Sequence, residues 1–185
     1  MNETQAREFI AEIGRSMFER RLTFGSSGNI SVRIDGGWLM TPTGSSLGPL
    51  DPAKLSQLDA TGKLISGDAP TKESFLHLAM YRERDKAGAV VHLHSTHSVA
   101  VSCLHGIDHD DVLPPITAYY VMRVGKLPLV PYFAPGDMAL GEAVGRLAAK
   151  HSAMLLANHG PVVAGSSLSA AVDAIEELEE TARLY

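Results

Sequence analysis

The chain has 185 residues, enough for one domain with a buried core, and its 45% hydrophobic and 20% charged residues give an ordinary globular balance. A formal net charge of −5 gives no electrostatic support for a nucleic-acid partner. The single cysteine, Cys103, excludes an internal disulfide and fits a reducing cytoplasm; beside Val101 and Leu104 it is expected to be a small buried hydrophobe.

The start, Met1-Asn2-Glu3-Thr4, lacks the basic region and apolar run of a secretory signal. Residues 4–21 carry Phe9, Ile10, Ile13, Met17 and Phe18 near helical spacing, which predicts an amphipathic helix. The small-residue loop Gly25 to Asn29 leads into Ile30 to Ile34, which alternates as a half-buried strand. Asp35-Gly36-Gly37 makes a hairpin turn into the return strand Trp38 to Thr41. A second small-residue loop, Pro42 to Ser46, follows. Asp51 to Lys54 opens a short helical turn with proline at its first position. Lys63 to Ser66 reads as a strand, 71–84 as a helix, Ala89 to Leu93 as an apolar strand, and the segment from Ser95 to about Leu104 as a helix. His105 to Tyr120, with Pro114-Pro115, reads as irregular. Lys126 to Val130 is expected to be a strand and Gly136 to His151 a helix. Met154 to Ala157 and Val162 to Ala164 are expected strands around Asn158-His159-Gly160-Pro161. Ser167 to Tyr185 closes the chain as a helix, in which Glu176, Glu177, Glu179 and Glu180 suggest a solvated face. That helix shows no glycine stop signal, so it is expected to run on past Tyr185 in the natural protein.

No apolar stretch approaches the ~20 residues needed to span a bilayer, so a soluble protein with no membrane partner is expected. Strands and helices are intermixed without a clean parallel alternation, and two hairpins are visible. The expected fold is α/β, with a central, mixed, mostly antiparallel sheet covered by helices on both faces, as one domain over residues 1–185.

The segment most informative about chemistry is Val90-Val91-His92-Leu93-His94-Ser95. Strand side chains alternate faces, so His92 and His94 point the same way and can chelate one ion. A catalytic zinc site wants three protein ligands and an open position. His77, His97, His105, His109, His151 and His159 are the candidates for the third. His159 fits best, because it sits in a glycine- and proline-shaped turn between two apolar strands. Glu73, at a helix start, is not explained as a capping-box partner, since the box from Thr71 would need an acid at position 74, which is serine. Hung into the metal site with its pKa raised by burial, Glu73 could shuttle a proton near neutral pH.

Gly28-Asn29, Thr41-Pro42-Thr43-Gly44, the helix start at Glu73, His92-Leu93-His94 and Asn158-His159-Gly160 occur in this order across residues 5–185. As a set they resemble the class II aldolase/adducin family. The stretches Pro70 to His77 and His92 to Ser98 resemble its 3-oxo-tetronate 4-phosphate decarboxylase branch more than its aldolases. The resemblance implies a three-layer α-β-α fold, a homotetramer and active sites at subunit interfaces. It implies His92, His94 and His159 as zinc ligands, and Glu73 as the acid–base carboxylate. It also implies Gly28, Asn29, Thr43, Gly44, Thr71 and Lys72 around the substrate phosphate. Tyr119, with Tyr120 close behind, is implied as a proton donor to the neighbouring subunit's site. The aldolases commonly carry a small hydroxyl residue where this chain has Lys72, and that extra positive charge favours a phosphorylated sugar acid over a neutral sugar. The expected reaction is decarboxylation through an enediolate stabilised by zinc, giving dihydroxyacetone phosphate; an aldolase or epimerase on fuculose or ribulose phosphate is the alternative, and a metal-free adducin-like interaction module is the third reading.

Overall fold

A computed structural model describes residues 2–185. Eight strands form one sheet: β1 (Asn29–Ile34), β2 (Gly37–Met40), β3 (Ser56–Asp59), β4 (Leu64–Ser66), β5 (Ala89–His92), β6 (Leu129–Val130), β7 (Ala153–Leu156) and β8 (Gly160–Gly165). Their order is β4-β3-β2-β1-β5-β8-β7-β6. Every neighbouring pair is antiparallel except β6 and β7, which run parallel. The helices are α1 (Glu3–Glu19), α2 (Ser74–Glu83), α3 (Thr96–Ser102), α4 (Ala118–Arg123), α5 (Ala139–Ala148) and α6 (Leu168–Leu184). None is long and apolar enough to cross a membrane.

Strand alternation divides the core into two layers. Ile30, Leu39, Ala89, Val91, Leu93, Leu155 and Val163 pack with α1, α3, α4 and α6 on one face. Val90, Met154, Leu156, Val162 and Ala164 pack with α2 and α5 on the other. The result is the expected α/β sandwich of helices about a mixed, mostly antiparallel sheet. His92 has the parity of Val90, and Asn29 and Ser31 have the opposite parity to Ile30, so all three face α2.

Several local expectations are corrected. The helix expected from 71 begins at Ser74, after a turn in which the Thr71 Oγ1 accepts the Glu73 N–H at 3.3 Å. The strand expected over 126–130 keeps only Leu129–Val130. Two elements were not legible. β3 is short and mostly polar, and it exists because β2 and β4 pair with it on both sides. α4 has one turn and a half, begun by Thr117, whose Oγ1 accepts the Tyr120 N–H at 3.1 Å, and anchored by buried Tyr120 and Val124. Cys103 is exposed, because it caps α3 where the chain leaves the core and Leu104 also faces solvent. Glu179 is buried, so the acidic face of α6 is not uniformly solvated. Its carboxylate accepts the His97 and Ser98 N–H groups at 2.9 Å and the Ser98 hydroxyl at 2.6 Å, satisfying the free donors at the start of α3.

Candidate metal centre

Five segments meet at one end of the sheet because antiparallel pairing folds them back to it. β1 begins where β2 and β5 end, with Asn29 opposite His92. The chain leaving β2 pairs with the chain entering α2: Thr43 N–H donates to the Ala69 carbonyl at 2.9 Å and Thr71 N–H to the Thr41 carbonyl at 3.2 Å. The β7–β8 hairpin turns at the same end, through Ala157, Asn158 and His159. Asn158 takes the left-handed conformation that such a turn demands, φ 55°.

Gly160 decides how close that turn can come. A Cβ there would lie 2.3 Å from the Leu93 carbonyl oxygen, so only glycine lets the hairpin rest on the backbone leading into His94. Gly28, with φ 79°, plays a similar part beneath His92, whose carbonyl oxygen would be 3.1 Å from an added Cβ.

The consequence is convergence of three imidazoles. The Nε2 atoms of His92 and His94 are 3.1 Å apart, those of His92 and His159 3.3 Å, and those of His94 and His159 3.0 Å. The His92 Nδ1–H donates to the Pro161 carbonyl at 2.8 Å, which fixes the tautomer and leaves the Nε2 lone pair facing the others. Burial pushes the pKa of both His92 and His94 down, so both rings stay neutral. Three lone pairs aimed at one another need a cation between them. Ligand atoms about 2.0 Å from one tetrahedral ion lie about 3.3 Å from each other, so the donor set fits a small divalent metal.

Glu73 completes the group. Its Oε1 is 3.1 Å from His159 Nε2 and its Oε2 is 3.5 Å from His92 Nε2, and all four candidate ligand atoms fall within 4.8 Å. The expectation that burial raises its pKa is reversed. Burial does push the carboxyl up, but the positive charge that the imidazole cluster holds, on a ring or on an ion between the rings, and the hydrogen bond from Asn29 together hold it well below the usual range. Glu73 is therefore an anion at neutral pH. The Asn29 Nδ2–H donates to its Oε2 at 2.7 Å, while the Asn29 Oδ1 accepts from His77 at 2.5 Å. His77 and this use of the Asn29 side chain were missed in the sequence. Only part of the signal is in the sequence: Glu73 and His77 are four apart on one helix, whereas the covering of the Asn29 strand face by α2 is a tertiary fact.

The remaining residues divide. Thr43, Gly44, Thr71 and Lys72 lie in the paired loops beside Glu73, with Thr43, Gly44 and Lys72 exposed. Gly44 has φ 69° and open space beyond it. Tyr119 does not approach the imidazoles of its own chain. It is 62% exposed on α4, in a groove of about 640 Å³ with Arg20, Arg123 and Asp173. Tyr120 is buried in the core.

Comparison with known proteins agrees with this architecture. Residues 8–185 match the Class II Aldolase and Adducin N-terminal domain. The chain is 52% identical over 184 residues to the 3-oxo-tetronate 4-phosphate decarboxylase of Pectobacterium atrosepticum, covering 99% of this chain and 84% of that protein. It is 38% identical over 177 residues to the L-fuculose phosphate aldolase of Methanococcus maripaludis, covering 96% and 93%. The crystal structure of YgbL from Escherichia coli superposes with a TM-score of 0.97 at 51% identity, covering 98% of this chain and 88% of that one. The chain belongs to the class II aldolase/adducin family.

Proposed function

We propose that the chain is a divalent-metal-dependent carboxy-lyase that converts 3-oxo-tetronate 4-phosphate to dihydroxyacetone phosphate and carbon dioxide. The observation that carries this reading is the 52% identity to a decarboxylase across almost the whole chain, with 38% to an aldolase. The intact cluster of His92, His94, His159 and Glu73 supports an enzyme over a metal-free interaction module.

His92, His94 and His159 are the proposed ligands, and zinc is the proposed ion, because an all-imidazole set with tetrahedral spacing suits it. Bound there, the ion supplies Lewis-acid stabilisation of negative charge developing on oxygen. Glu73, already ionised, accepts a hydrogen bond from the substrate C2 hydroxyl and orients it. As the C1–C2 bond breaks, carbon dioxide leaves from C1 and the electron pair spreads from C2 onto the C3 oxygen. A proton delivered to C2 then gives dihydroxyacetone phosphate. Because Glu73 begins without a proton, the donor assigned is Tyr119 of a second copy of the chain, and its exposure supports that role.

Gly28, Asn29, Thr43, Gly44 and Thr71 are proposed to surround the phosphate, with main-chain N–H groups of the small-residue loops as donors. Lys72 is proposed to meet the substrate carboxylate. Active sites shared between copies require an oligomer, proposed to be a homotetramer, and exposed Phe24, Tyr119, Met122 and Met138 supply apolar surface for contacts between copies. The exposed thiol of Cys103 supports a reducing cytoplasm.

The test is to supply the purified protein with 3-oxo-tetronate 4-phosphate and with fuculose and ribulose phosphates. Carbon dioxide release from the acid is the expected result. Aldehyde release from a ketose phosphate, with no carbon dioxide, would favour the aldolase instead.

A further inference from the structure

α2 and β1 interleave five polar side chains in a buried line. Glu73, His77 and Tyr81 are spaced by four along the α2 segment, so they share one helical face. Asn29 and Ser31 are spaced by two on β1, so they share the sheet face that α2 covers. The Tyr81 hydroxyl lies 3.0 Å from Ser31 Oγ, Ser31 Oγ lies 2.7 Å from His77 Nδ1, His77 Nε2 lies 2.5 Å from Asn29 Oδ1, and Asn29 Nδ2 lies 2.7 Å from Glu73 Oε2. Ser31 and His77 are fully buried, and Tyr81 and Asn29 nearly so.

The direction of each bond is forced from the carboxylate end. The Asn29 Nδ2, which can only donate, faces Glu73 Oε2 at 2.7 Å. The Asn29 oxygen then faces His77, which must donate from Nε2. Burial holds His77 neutral, at a pKa of about 4, so it has a single N–H and its Nδ1 must accept. Ser31 therefore donates to Nδ1, and the Tyr81 hydroxyl donates to Ser31. One orientation at any link implies the same orientation at all of them.

We propose that His77 is a positioning residue for Glu73: held in its Nε2–H tautomer by Ser31, it fixes the direction of the Asn29 amide, which then presents an N–H to the carboxylate. In the opposite tautomer the amide would reverse and set an oxygen 2.7 Å from Glu73 Oε2, displacing the carboxylate that the reaction uses. The effect on turnover rests on the decarboxylase reading; the tautomer and the amide direction do not.

The test uses the metal-loaded full chain, labelled with ¹⁵N. Long-range proton–nitrogen correlation should show His77 as the Nε2–H tautomer, and an Nδ1–H tautomer would overturn the proposal. The Asn29 side-chain amide should exchange slowly with solvent in the wild type, faster in His77→Leu, and slowly again in His77→Gln, which keeps an N–H for the Asn29 oxygen. With substrate, His77→Leu should lower kcat by about 10- to 100-fold with KM changed less than about twofold, while His77→Gln recovers most of the rate. Metal content should stay at one ion per chain in both variants. A wild-type rate in His77→Leu, unaltered exchange at Asn29, or a His77→Gln variant no faster than His77→Leu would each contradict the proposal. The tautomer is read on the unaltered protein and decides even where His77→Leu does not fold. Failure of the reaction reading would leave wild type and variants alike without carbon dioxide release, while the two spectroscopic readouts still decide the relay.

Discussion

Glu73 and the three imidazoles divide the labour of the site by charge. His94 is one of the three proposed imidazole ligands, and removing it would leave two. His94→Ala should weaken metal binding on the order of 100-fold or more, read by metal analysis after dialysis, and activity should fall with it. Glu73→Gln keeps the shape and removes the anion, so metal should remain while kcat falls about 10²- to 10⁴-fold. A near-wild-type rate would end its role in orienting the substrate hydroxyl. Lys72→Ser should cost an acid substrate about tenfold in kcat/KM and a neutral ketose phosphate little; equal losses would remove the argument for a carboxylate partner. His77 adds a pH dependence of stability. It titrates at about 4 in the fold against 6.5 when unfolded, so the unfolded chain takes up the proton first. Its contribution is complete above pH 6.5 and is lost as pH falls toward 4, about 3 kcal/mol in all. Thermal melts should fall across that interval, and His77→Gln, with no proton to gain, should flatten the fall.

At the level of elements, the site depends on one hairpin lying against one strand. Gly160→Ala would drive a Cβ into the Leu93 carbonyl oxygen, so we expect a loss of about 2–4 kcal/mol by denaturant unfolding, together with weaker metal binding. A variant as stable as the wild type would show that the turn can withdraw without cost. Much of this element was legible beforehand. His-x-His on a strand fixes a shared face by period alone, and a histidine between two apolar strands beside Gly160 and Pro161 reads as a presented side chain. What the sequence concealed was held by tertiary contact. β3 has no apolar alternation of its own and is made by its neighbours. α4 is too short for periodicity to register. The partner of Asn29 could not be read without knowing that α2 covers β1. Glu73 lies beside the imidazoles, and its ionisation follows from opposing contributions of burial and neighbours that only coordinates weigh.

At the scale of the whole molecule, a sheet with helices on both faces gathers five distant segments at one edge, and the site lies at the surface of a single chain. Tyr119 is exposed on α4, and its proposed service to a second copy's site is tested at this scale. Tyr119→Phe should lower kcat by about 10- to 1,000-fold without loss of metal, and light scattering should report a tetramer for both proteins. A fully active monomer would refute the shared site. The central claim is that an ion held by His92, His94 and His159 is required for loss of carbon dioxide from a 3-oxo acid phosphate. The most direct measurement is carbon dioxide release from 3-oxo-tetronate 4-phosphate before chelation, after it, and after adding back one equivalent of zinc. The account predicts release, abolition and recovery, with dihydroxyacetone phosphate formed mole for mole. Turnover that continues undiminished in metal-free protein would contradict it.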